Sequence, residues 1–75
     1  MAKKYGLTDR GKTYFERIKQ NPDKAQLPRY KVLECFYNKG IATEKNIVDQ
    51  TGLSGSKGSY VRRALSSEGL VENLG

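Results

Sequence analysis

Residues 43–73 read TEKNIVDQTGLSGSKGSYVRRALSSEGLVEN. Ile47 and Val48 give the start of this stretch an inward face, so it reads as a short helix, with Thr43 as its cap and Glu44 in its first turn. Gly52 falls where that helix must stop, and Leu53 follows as the apolar plug of a turn. Ser54 or Ser56 then caps a second helix, since a serine side chain accepts a bond from the free amides at a helix start. Val61, Ala64 and Leu65 recur at the i, i+3, i+4 spacing of one helical face. Lys57, Ser59, Tyr60, Arg62 and Arg63 fall elsewhere, mostly outward. No acidic residue lies between Asp49 and Glu68. A helix braced from behind, with amines, hydroxyls and a phenol on its free face, suits a DNA major groove.

Upstream, Thr8 caps a helix from about Asp9 to Gln20 carrying Tyr14, Phe15 and Ile18 as an apolar stripe, and Asn21-Pro22-Asp23 stops it. Residues 24–27 are a linker. Pro28 suits the first turn of the next helix, which runs through about Asn38 with Val32, Leu33, Cys35, Phe36 and Tyr37. Gly40 ends it, and Ile41 reads as a strand of one or two residues. Leu70 to Leu74 begins a strand. The aromatics Tyr14, Phe15, Tyr30, Phe36 and Tyr37 read as core. There are no repeats and no low-complexity tracts.

Seventy-five residues make one small domain, with about 60% of the unfolded surface buried on folding. Fourteen basic residues against eight acidic ones give a net charge of +6. That bias suits a polyanion, nucleic acid before an acidic membrane. The single cysteine, Cys35, excludes an intramolecular disulfide, and its apolar setting makes it a buried structural thiol. The absence of histidine removes His-based triads, His–metal clusters and the usual general base. The glycine-rich GLSGSKGS (52–59) lacks the G-K-[ST] ending of a phosphate-binding loop and reads as a turn and cap. No cofactor, metal, small-molecule substrate or enzymatic activity is therefore expected. No apolar run approaches the roughly 20 residues that span a bilayer, and no signal-peptide pattern is present. The expected location is intracellular, in the cytoplasm, on the nucleoid if DNA is bound.

TGLS (51–54), then Val61 and Leu65, then EGLVEN (68–73), resembles the helix-turn-helix core of winged-helix DNA-binding proteins, the broad class that includes MarR-type regulators. The resemblance covers about residues 29–74. Gly58 and Arg62 depart from it, standing near positions where that class usually has apolar residues. It implies a mainly α fold, α+β at most, of three to four helices with a small β wing. Residues 1–28 would supply an N-terminal strand, helix and linker, and residues 29–75 the helix-turn-helix core. A wing is a hairpin, yet only its first strand follows the second helix. Tyr5-Gly-Leu-Thr-Asp-Arg-Gly11 resembles the Y-x-L-T-x-x-G segment that closes the wing in many such proteins. Either residues 3–7 pair with residues 70–74 as a permuted wing strand, or Tyr5 and Leu7 merely pack under the first helix.

The function so implied is double-stranded DNA binding in transcriptional control, with the helix at about 56–67 in the major groove. The DNA-binding candidates are Ser54, Ser56, Lys57, Ser59, Tyr60, Arg62 and Arg63, with Thr43 and Lys45 toward the backbone. Arg62 also lies close to the supporting face, where it would snorkel, and Thr43 serves equally well as a plain cap. Lys3, Lys4, Arg10 and Lys12 would approach a phosphate strand only with the permuted wing. The face of the first helix near Tyr14 and Ile18 is the candidate homodimer interface, with a monomer as the other state. Two rival functions remain. One is RNA binding in a ribonucleoprotein, since KGSYVRRAL (57–65) also resembles a winged-helix protein of the small ribosomal subunit. The other is a protein-interaction winged helix in a replication or transcription assembly.

Overall fold

The computed structural model describes residues 3–75. The elements in chain order are β1 (Tyr5–Leu7), α1 (Asp9–Ile18), a 3-10 turn (Pro22–Lys24), α2 (Pro28–Lys39), β2 (Ile41–Ala42), α3 (Glu44–Thr51), α4 (Gly55–Ser67) and β3 (Val71–Asn73). The fold is mainly helical with a small antiparallel sheet in the order β2-β1-β3.

Local chemistry sets most boundaries. The Thr8 hydroxyl accepts from the Gly11 amide at the start of α1. Pro28 opens α2, where its missing N–H costs nothing, and no side chain caps the preceding Leu27. Thr43 and Asn46 form a reciprocal capping box on α3: the Asn46 N–H donates to Thr43 Oγ1 at 3.2 Å, and the Thr43 N–H to Asn46 Oδ1 at 3.1 Å. Gly52 ends α3 at φ 75°, a left-handed backbone that a β-carbon would strain. α1 stops at Ile18, two residues short of the sequence expectation; the Asn21 N–H turns back to the Ile18 carbonyl at 2.9 Å, opening the tighter turn at Pro22. α4 starts one residue earlier than expected, because Ser54 and not Ser56 is its cap.

The core lies around α2, which packs against α1, α3, α4 and β1. Phe36, Leu33, Ile47, Leu65 and Val32 are its most completely buried side chains. Each such burial is worth about 1.5–3 kcal/mol. Phe15 is buried too, with Tyr30 and Tyr37 tilted against its ring at centroid distances of 5.2 and 4.8 Å. Tyr14 and Ile18, expected to leave an apolar surface free, are half-buried and packed against this core.

The sheet joins residues from near both ends of the described chain. Residues Tyr5, Gly6 and Leu7 pair antiparallel with Asn73, Glu72 and Val71. The Leu74 N–H donates to the Lys4 carbonyl at 2.7 Å, extending the ladder by one bond. β2 occupies the other edge of β1, with Tyr5 opposite Ala42 and Gly6 opposite Ile41. Tyr5 and Leu7 also pack in the core, so the expected pairing of these segments and the expected packing of Tyr5 and Leu7 hold together. Thr8 locks the junction. Its N–H donates to the Leu70 carbonyl at 3.1 Å, and its hydroxyl donates to the Gly69 carbonyl at 2.7 Å. Gly11 then lets α1 lie on the Leu70 backbone: a β-carbon there would sit 2.0 Å from the Leu70 oxygen. Glycine at position 11, which only weakens a helix in sequence terms, is needed for this contact.

Candidate nucleic-acid interface

The seating of α4 decides which of its side chains are free. Val61 and Leu65 point into the core. Gly58 is also buried, and a β-carbon built on it would meet Ile47 Cγ2 at 3.4 Å and Val48 Cγ2 at 3.9 Å. Gly58 therefore marks the crossing of α3 over α4. With 58, 61 and 65 turned inward, the opposite face carries Ser56, Lys57, Tyr60, Arg63 and Ser67, all exposed. Tyr60 is 69% exposed, so its ring is not there to fill the core. A shallow open groove runs along Tyr60, Arg63, Ala64, Ser67 and Glu68.

Ser54 and Thr43 are occupied as caps. The Ser54 hydroxyl accepts from the Lys57 amide at 3.2 Å, and that of Thr43 from the Asn46 amide. A hydroxyl accepting such a bond keeps its own proton to donate, so a cap can still meet a phosphate oxygen. Lys45, in the first turn of α3, is exposed.

Ser59 is a correction to the outward assignment, and Arg62 takes the side close to the supporting face, one of its two expected places. Ser59 donates its hydroxyl proton to Glu44 Oε2. Arg62 Nη2 lies 3.6 Å from Glu44 Oε1, its guanidinium stacks 4.2 Å above the Tyr5 ring, and its side chain is only 14% exposed. The acid-free interval in the sequence thus receives its carboxylate from α3. Glu44 is the site residue that sequence reasoning missed. Its trace was there: Ser59 and Arg62 are three apart, so they share one side of α4 and can meet one acceptor. Arg62 Nε is buried without a hydrogen-bond partner, and the cation–π contact with Tyr5 stands in its place.

The far end of α4 is pinned by Arg29 Nη2, 2.6 Å from Glu68 Oε1. The Glu68 hydrogen bond raises the Arg29 pKa, against an opposing effect of burial. Cys35 is buried, and that burial pushes its thiol pKa up, with Lys39 pulling weakly the other way. A raised pKa disfavours the thiolate that nucleophilic or metal chemistry needs.

Among the described residues no group of three His, Cys, Asp or Glu side chains is gathered as a metal site would need, and no helix is long and apolar enough to cross a membrane. Compared with protein-family models, with curated proteins and with solved structures, the chain matches none.

Proposed function

We propose that this chain is a winged-helix domain that binds double-stranded DNA in transcriptional control, with α4 entering the major groove. The observation that carries the proposal is the free face of α4: Ser56, Lys57, Tyr60 and Arg63 stand exposed on a helix braced through Gly58, Val61 and Leu65. An α-helix fits the major groove, where lysine and arginine meet guanine edges or phosphates and serine and tyrosine anchor the backbone. Thr43, Lys45 and Ser54 flank the neighbouring phosphates. In this proposal β3 and β1 are the two strands of the wing in permuted order. The sheet order β2-β1-β3 beside α2, α3 and α4 agrees with that architecture. Ser59 and Arg62 hold α4 in place through Glu44 and are left out of the DNA contacts.

The test is a titration of labelled random-sequence duplex DNA at two salt concentrations, wild type beside Lys57→Ala/Arg63→Ala. About four to six phosphate contacts give a log–log salt slope of roughly −4 to −5. The double variant should bind several-fold more weakly, with a shallower slope. Absence of binding at low salt, or binding indifferent to these residues, would rule out the α4 interface and point to RNA or a protein partner.

A further inference from the structure

A second basic surface adjoins the α4 groove. That groove ends at Glu68, and a recess of about 350 Å³ begins at Leu70, lined by Asp9, Arg10, Thr13, Tyr14 and Arg17 of α1. The two surfaces meet at Gly69, beside which Arg10 lies: a β-carbon on Gly69 would be 3.6 Å from Arg10 Nη1. Arg10, Thr13, Tyr14 and Arg17 follow the i, i+3, i+4, i+7 spacing of one helical stripe. Arg10 and Arg17 are exposed, and among the described residues neither is in an ion pair.

We propose that this α1 stripe is a second DNA-backbone contact, in which Arg10 and Arg17 meet phosphates of the duplex strand that leaves the C-terminal end of α4. It rests on the proposed DNA-binding function and extends its footprint. Charge favours it. Glu68, the acid at the junction, is neutralised by Arg29, which leaves Asp9 as the opposing charge along the stripe. Spacing fits as well. Seven residues of helix put the two arginines about 10 Å apart along α1. Two long, exposed side chains that far apart can reach separate phosphates of one strand. The Thr13 hydroxyl lies between them as a further donor. No base edge is within the scheme, so this contact adds affinity and salt dependence without sequence preference.

The experiment compares wild type, Arg10→Ala/Arg17→Ala and Lys57→Ala/Arg63→Ala on a random duplex of about 20 base pairs at several salt concentrations. Loss of two phosphate contacts should lower the slope by about 1.8. The affinity should fall about tenfold at low salt, with the melting temperature unaltered. An unchanged slope for the α1 variant, beside a reduced slope for the α4 variant, overturns the α1 contact and leaves the α4 interface standing. A wild type that does not bind at low salt overturns both.

Discussion

A β-carbon added at Gly11 would lie 2.0 Å from the Leu70 carbonyl oxygen, inside any tolerable contact. One added at Gly58 would lie 3.4 Å from Ile47 Cγ2, an ordinary van der Waals distance. Both residues are buried in helices, so helix propensity alone would favour alanine at either by about 0.5–1 kcal/mol. Sterics must reverse the sign at one of them. Gly11→Ala should force α1 off the α4–β3 turn, break the Thr8 bonds to Gly69 and Leu70, and cost about 3 kcal/mol or more. Gly58→Ala should be neutral or stabilise by up to about 1 kcal/mol. Urea unfolding of the two variants beside wild type measures both. A Gly11→Ala protein as stable as wild type would mean that α1 does not rest on the Leu70 backbone.

Among the elements, Arg62 joins α4 to α3 through Glu44 and to β1 through Tyr5. Removing that side chain deletes a cation–π contact of about 0.5–1 kcal/mol and the packing of its stem. Arg62→Ala should therefore destabilise the fold by about 1–2 kcal/mol, and Arg62→Met, which keeps the stem, by less. Neither should alter the salt slope of DNA binding, in contrast to Lys57→Ala/Arg63→Ala. Thermal unfolding and the slope separate the two roles, and a reduced slope for Arg62→Met would return Arg62 to the interface. The sequence made the helices legible because their signals are local: Thr8, Pro28 and Thr43 at starts, Gly52 at a stop, apolar residues at helical spacing between. The pairing of residues 3–7 with 70–74 was legible as one of two alternatives, through the Y-x-L-T-x-x-G segment. The pairing of Ile41–Ala42 with β1 was not, since two residues carry no periodicity. Nor was the reach of Glu44 to Ser59 and Arg62: their spacing puts the two on one side of α4, but which acceptor they meet depends on how the helices cross. The exposed residues Ser56, Lys57, Tyr60 and Arg63 were readable because helical spacing alone separates them from Val61 and Leu65.

For the whole molecule, the central strand of the sheet comes from one end of the described chain and its neighbour β3 from the other. The radius of gyration, 11.1 Å, is that of one compact body of this length, about 11 Å. Such a body must close β1 onto β3 across nearly all its intervening residues, and non-local closure of this kind slows folding. The proposed permuted wing gives this a direct test. Joining Gly75 to Lys3 through an asparagine–glycine loop turns β3 and β1 into an ordinary hairpin, since the Leu74 N–H and the Lys4 carbonyl already meet at 2.7 Å. Opening the chain between Ala25 and Gln26, both exposed between α1 and α2, restores two ends. The new order runs α2, β2, α3, α4, β3, β1, α1, and α1 now follows the wing. This chain should keep the helical circular dichroism and the melting temperature of the original. It should also refold faster, because the β1–β3 pairing, the most distant in the original chain, has become local. Stopped-flow refolding beside thermal unfolding reads both quantities. A permuted chain that melts without cooperativity would show that the Thr8–Leu70 junction needs the original connection between α1 and α2, and that β1 and β3 are not interchangeable with a simple wing hairpin.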